Sequence, residues 1–238
     1  MLTSKTDLLD TIKAPNIFIF DHEAAASLFH ELVGHGLEKN IIKNNQNLIT
    51  QINPAISASD DPSVVNSPSS FQFDDQFCLA RKKTLVENGK LLSYIGNLHT
   101  DYLNQQNIGN SRISYDYFPY PRMSNIIVNI NNTVTKIDGE IWYINGSKNG
   151  YLYKDYIYFF PDSVEFTEAN VKRKYLGLCM VFSRNGLFRA EMYGLGEFRY
   201  GNTGFCSKGK HKYLPVGYGN TQLVLRGIEC QIYKVGQK

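Results

Sequence analysis

The sequence predicts an α+β fold: a mainly antiparallel β-sheet with one packed helix near the N-terminus and one or two further short helices. Two observations carry this. The stretch Leu28–Asn40 (Leu-Phe-His-Glu-Leu-Val-Gly-His-Gly-Leu-Glu-Lys-Asn) continues an alanine-rich run, and the pair Asp21-His22 before that run gives it a helix start with Asp21 as N-cap. From Phe71 onward, aromatic and β-branched segments alternate with turn residues, and most of the 16 Tyr and 14 Phe fall in them.

In chain order, residues 1–13 read as a short helical or frayed lead-in and Asn16–Phe20 as a strand. Lys39 to Ser70 turns to Asn, Ser, Asp, Gln and Pro, a composition with little to bury, and reads as a mobile solvent loop placed where a flap over the preceding helix could lie. Asn88-Gly89 separates Thr84–Glu87 from Leu91–Ile95 and signals a hairpin. Leu98–Gln105 reads as the second helix. Further strands are expected at Asn125–Ile130, Ile141–Ile144, Tyr151–Phe159, Leu176–Phe182, Leu187–Met192 and Gln222–Lys234, with turns at Asn145-Gly146 and Asn185-Gly186. No internal repeat suggests a solenoid or propeller.

At 238 residues and 27.1 kDa the chain can bury a sizeable core as one domain spanning 1–238. The net charge of +3 is spread over short groups such as Arg81-Lys82-Lys83 and Lys172-Arg173-Lys174, which solvated strands and turns explain, so nucleic acid is not a favoured partner. No run approaches the ~20 apolar residues of a spanning helix, and Asn16–Phe20 is cut off at Asp21 before it could serve as a signal peptide. A soluble cytoplasmic protein is expected. Cys78, Cys179, Cys206 and Cys230 are too few and too far apart for a disulfide scaffold.

The chemistry concentrates in the early helix. His30, Glu31 and His35 form H-E-x-x-x-H, with Glu38 three positions on. Two imidazoles on one metal ion, with a carboxylate beside them, are the parts that activate a water for hydrolysis. The spacing poses a problem, because residues i and i+5 on a regular α-helix point about 140° apart, against about 40° for i and i+4. Both imidazoles reach one ion only if the helix overwinds, bulges in π fashion or breaks at Gly34, and a break or bulge is expected there. The competing reading is a helix end at Gly34 or Gly36 with two unrelated histidines. His22 and His99 read as surface residues. A third ligand would come from Glu38 or from Cys206 in Gly204-Phe205-Cys206-Ser207-Lys208-Gly209, where Lys208 and Lys210 favour the thiolate, unless Cys206 is simply a buried thiol.

The segment Asp21–Glu38 resembles the metal-binding segment of the TldD/PmbA family of metalloproteases. Later segments agree in order: Phe73-Asp74-Asp75, Thr84–Gly89, Pro121-Arg122-Met123-Ser124-Asn125, Gly204–Lys208 and Pro215-Val216-Gly217-Tyr218-Gly219. The resemblance implies Zn2+ bound by His30, His35 and Cys206, with Glu31 as general base. It departs from the family pattern at Lys39-Asn40, Ser124, Ser207 and Lys210-His211-Lys212, which leaves the roles of Glu38, Arg122, Asn125 and His211 open. It further implies that only the C-terminal metal domain is present, without the family's N-terminal α/β domain, and that the chain works as a homodimer or with another TldD/PmbA-type subunit. The expected function is a zinc metallopeptidase acting on extended or unfolded peptide, in precursor or leader-peptide processing. The alternative is a non-catalytic peptide-binding or scaffold subunit, which a closed shell with Glu38 as fourth ligand would favour.

Overall fold

A computed structural model describes residues 15–42, 51–113, 118–208 and 211–235. The lead-in at 1–13 lies outside them. β1 (Ile17–Phe20) passes through Asp21 into α1 (His22–Phe29), which continues as a π-helical turn over His30–Gly34 and a 3-10 turn over His35–Leu37 before α2 (Lys39–Ile42). Asp21 is the N-cap, its carboxylate accepting from Ala24 N at 2.8 Å. Next come β2 (Ile56–Asp60), β3 (Lys83–Glu87), β4 (Lys90–Leu91), α3 (Leu98–Asp101), β5 (Ser111–Arg112), β6 (Tyr120–Pro121), β7 (Asn125–Ile130) and β8 (Ile141–Asn145). The chain then runs through β9 (Asn149–Tyr153), β10 (Tyr156–Phe160), β11 (Ser163–Glu168), β12 (Val171–Tyr175), β13 (Leu178–Ser183), α4 (Arg184–Arg189), β14 (Glu191–Lys208), β15 (His211–Arg226) and β16 (Cys230–Lys234).

Among the described residues, ten strands form one sheet in the order β12-β11-β8-β1-β15-β7-β2-β3-β4, with β14 also on β15, and four form a second in the order β16-β13-β10-β9. Pairing is antiparallel except β1 with β8 and β7 with β15. The expected α+β, mainly antiparallel architecture is present. β15 is the seam: Leu223–Arg226 pair with β1, Gly217–Gly219 pair with β7, and β14 runs along it from Glu191 to Lys208.

β1 shows how the sequence feeds this layout. Its Ile-Phe-Ile-Phe alternates faces: Ile17 and Ile19 pack with Val224, while Phe18 and Phe20 enter the main core. There Phe18 meets Trp142 and Phe182 edge-on at 6.3 and 6.1 Å, and Phe20 meets Phe159 at 5.7 Å. Ala24, Ala25, Leu28, Phe29, Leu32 and Val33 of the helical segment are buried in the same core, which holds side chains from both sheets. The motif is thereby fixed against the sheet.

Several sequence expectations need correction. Residues 51–70 are not a loose loop, because Ile56–Asp60 is a strand between β7 and β3 and the serines that follow are pinned from below. Asn125 Nδ2 donates to Asp61 O at 2.7 Å and to Ser70 Oγ at 3.1 Å, and its Oδ1 accepts from Ser69 Oγ at 2.6 Å. Ile52, Ala55, Ile56 and Ala58 are buried in the core, and in 61–70 side-chain amide and hydroxyl bonds take the place of apolar burial. Residues 43–50 of that stretch lie outside the described residues. Tyr151–Phe159 is two strands, broken at Lys154, which adopts φ 54°. Asn185-Gly186 is helical within α4, capped by Ser183 accepting from Gly186 N, so Leu187–Arg189 is helix and the strand starts at Glu191. Gln222–Lys234 divides at Gly227, φ 62°. The second helix is only Leu98–Asp101. The Asn88-Gly89 turn and the turn at Gly146 occur as expected, with φ of 47°, 76° and 59°, but the second strand of the hairpin is Lys90–Leu91 rather than Leu91–Ile95.

Phe18→Ala should cost about 3–5 kcal/mol through the cavity it leaves among Trp142, Phe182 and Phe20. A urea titration reads this as a lower midpoint with an unchanged slope.

Candidate metal centre

The 140° problem is solved where it was expected. The wide turn from His30 to Gly34 lets the helix lag by the amount needed to bring His35 round beside His30, and the ring centroids stand 4.7 Å apart at 89°. Gly34 makes the fit possible against the sheet. A Cβ there would overlap Met123 Sδ and lie 2.7 Å from Met123 Cε.

The third group arrives from the far end of the chain. Cys206, near the tip of the β14–β15 hairpin, puts its Sγ 3.1 Å from His30 Nε2 and 3.1 Å from His35 Nε2. All three side chains are buried, and their donor atoms lie within 4.8 Å of one another. Donors around a tetrahedral ion at ordinary Zn–N and Zn–S lengths stand about 3.5 Å apart, so an opening of a few tenths of an ångström accommodates one. A soft thiolate with two imidazoles is a donor set suited to Zn2+.

Each donor is oriented from behind. Tyr218 OH, on β15, is 3.0 Å from His30 Nδ1, and Glu38 Oε1 is 3.0 Å from His35 Nδ1. Both histidines therefore turn Nε2 to the sulfur. Glu38 is completely buried and also receives Lys208 Nζ, while Arg122 Nε is 3.6 Å from its Oε1. Arg122 Nη2 donates to Cys206 Sγ at 2.7 Å. Burial alone would suppress charge here, but the neighbours dominate: His30 and His35 pull the Cys206 thiol well down, Glu38 and Cys206 raise His35, and Lys208 and His35 hold Glu38 well below the usual carboxylate range.

Glu31 is also buried. Its Oε1 is 3.8 Å from His30 Nε2, and its Oε2 accepts no hydrogen bond among the described residues. Gly150 on β9 closes over it: a Cβ there would come 3.2 Å from Glu31 Cγ. The four groups line one groove of about 620 Å³ between α1, β9 and the β14–β15 hairpin.

The structure thus brings His30, Glu31, His35 and Cys206 together. Glu38 faces the back of His35 rather than the shared centre. His22 bonds Glu197 O at 3.0 Å and His99 stacks on Phe118 at 5.6 Å, both away from it. Nothing is described of the His211 side chain. Sequence reasoning quoted Arg122 and Tyr218 only as members of motifs and passed over Gly150. No local pattern announces that an arginine will reach a sulfur 84 residues later.

The family model described as the PmbA/TldA metallopeptidase C-terminal domain matches residues 17–167. The chain belongs to this family. Among relatives of the PmbA/TldA family, a metalloprotease TldD homolog of Buchnera aphidicola subsp. Schizaphis graminum is 31% identical over 133 residues, 50% of this chain and 28% of that protein. The TldD homolog of Haemophilus influenzae is 31% identical over 106 residues, covering 41% and 22%, and a metalloprotease of Methanocaldococcus jannaschii is 26% identical over 117 residues, covering 46% and 26%. The matches thus span between 22% and 28% of the length of these curated relatives. Among solved structures, TldE from Thermococcus kodakarensis matches with TM-score 0.65 at 13% identity over 93% of this chain and 50% of that one. A protein of Thermotoga maritima titled a putative modulator of a DNA gyrase gives 0.63 at 14%, over 94% and 50%. At such identities these structures establish a shared fold alone. Cys206 lies beyond the residues that the family model matches, so its place beside the histidines rests on the fold.

Gly34→Val should destabilise by about 1–3 kcal/mol or more, since its methyls have no room beside Met123. Gly36→Ala, whose Cβ would sit 3.4 Å from Glu31 O, should cost distinctly less in the same thermal melts.

Proposed function

We propose that this chain is a zinc metallopeptidase domain acting on extended or unfolded peptide, with His30, His35 and Cys206 holding the metal and Glu31 as general base. The observation that carries the reading is the sulfur of Cys206 at 3.1 Å from both Nε2 atoms, beside a buried carboxylate that has an unpartnered oxygen. The metalloprotease names of its TldD relatives support it.

Bound Zn2+ supplies a Lewis acid that polarises the scissile carbonyl and lowers the pKa of water. The protein supplies the rest. Glu31 takes the proton of the attacking water as the C–O bond forms, then returns it to the amine as the C–N bond breaks. Tyr218 and Glu38 hold the two imidazoles so that neither turns away. Among the described residues β9 is the terminal strand of its sheet and lines the groove with Asn149–Leu152, so its outer edge is suited to hold a peptide backbone by strand addition. Glu38, turned to the back of His35, leaves a three-donor set with an open position, which favours catalysis over the closed shell of a scaffold subunit.

We assign the chain to a cytoplasmic peptide-maturation role, with the whole of 1–238 as the metal domain, working as a homodimer or beside another TldD/PmbA-type subunit. Four cysteines without disulfides suit a reducing compartment, and Tyr200, Phe205 and Tyr213 expose large faces along the β14–β15 hairpin where a second subunit could rest.

Glu31→Gln should keep the metal while lowering cleavage of a denatured-peptide mixture by about 10²–10⁴-fold. Parental cleavage by this variant would overturn the mechanism. Chelation should abolish cleavage and lower the melting temperature, with both restored by Zn2+.

A further inference from the structure

The helix and the hairpin that would share one metal have no covalent reason to stay in contact, since 168 residues separate Cys206 from Glu38 and the sulfur sits near the tip of a long two-stranded arm. Tyr218 to His30 and Asn220 to His22 O tie the body of the hairpin to the helix, and at the sulfur's end the junction is a buried ionic hub. Glu38 closes the 3-10 turn that carries His35, with its N–H bonded to His35 O at 3.2 Å. Its carboxylate meets three groups: His35 Nδ1, Lys208 Nζ from the cysteine's own strand two residues beyond, and Arg122, whose other arm grips Cys206 Sγ. Residues i and i+2 of a strand share a face, so the register that aims Cys206 at the imidazoles also aims Lys208 at Glu38. The pairing shifts between Cys206 and Lys208, where two steps on β14 face three on β15, so the extra residue is on β15 and the spacing on the cysteine's strand is kept.

We propose that Glu38, Lys208 and Arg122 form an ionic latch that docks the β14–β15 hairpin on the two-histidine segment and so pre-assembles the donor set, Glu38 and Lys208 acting as positioning residues. The latch rests on the zinc reading for its purpose, but not for its geometry. Glu38 has no exposed surface and three polar partners, so it is a built junction rather than a solvated helix-end carboxylate. Lys208 keeps about a third of its side chain in solvent, which makes it the part of the latch that can be removed without burying an unpaired charge elsewhere than at Glu38.

Two readouts on the full chain test this. In equilibrium competition, Lys208→Met and Glu38→Gln should each weaken Zn2+ binding by roughly tenfold to a hundredfold, and Lys208→Arg should recover most of the loss in the first. In chelator-treated protein, mass-mapped alkylation should modify Cys206 several-fold faster in Lys208→Met than in the parent, with Cys179 unchanged as an internal check of folding. Parental Zn2+ affinity or parental Cys206 reactivity in Lys208→Met overturns the latch. A parent that binds no Zn2+ overturns the metal reading instead, and the alkylation arm still decides whether the hairpin is latched.

Discussion

Everything at this centre follows from the angular misfit between a five-residue spacing and a 3.6-residue helix. The chain meets it with one wide turn, His30–Gly34, followed at once by a tight one, His35–Leu37, so the extra rotation is confined to a single stretch. A π turn weakens local hydrogen bonding and needs support from outside the helix. Here support comes from burial, because Leu32, Val33 and Leu37 sit in the core. Met123, filling the space beside Gly34, closes the same wall. The distortion is thus held by tertiary packing, and the sheet is needed for the histidines to converge at all.

That dependence explains the long β14–β15 hairpin. A strand pair of this length, seamed to β1 and β7 along one of its strands, reaches from the middle of the ten-stranded sheet to the helix and delivers Cys206 and Tyr218 to opposite sides of His30. β7 contributes in two directions. Just before it, Arg122 and Met123 serve the centre and the π turn, while Asn125 at its start ties down the serine-rich segment 61–70. The stretch Arg122-Met123-Ser124-Asn125 is therefore a joint between site and scaffold, and Ser124 completes it by donating from N and Oγ to buried Asp60 at 2.7 and 3.0 Å.

The parts legible in the sequence were those written in local terms. Asp21 as a cap, the Asn88-Gly89 hairpin, the distortion at Gly34 and the His-Glu-His pattern all depend on residues within a few positions of one another. Signals that compete locally were read wrongly: Asn185-Gly186 looks like a turn, but Ser183 caps a helix through the same residues. Segment 61–70 looked loose because its bonds run to Asn125, about 60 residues away, and no periodicity reports such a partner. The roles of Arg122 and Tyr218 behind the donors, and the reach of Lys208 to Glu38, were hidden for the same reason. Cys206 could be proposed as one of two ligands from its glycines and lysines, and only family resemblance favoured it over Glu38.

The charge balance at the centre ties these pieces to the proposed chemistry. Counting Glu31, Glu38 and the Cys206 thiolate as anions against Arg122 and Lys208 as cations leaves the buried cluster one negative charge in excess when both imidazoles are neutral. Without a metal, a proton is the means of cancelling that excess, and His35, enclosed by Glu38 and Cys206, is the group whose affinity for it is raised. A dication bound at the same three donors would displace that proton and carry the cluster to one positive charge, the sign suited to a developing oxyanion. Arg122 and Lys208 would then keep Glu38 and the sulfur from over-neutralising such an ion, so the two cations of the proposed latch would also preserve the electrophilic character that the proposed peptide hydrolysis demands.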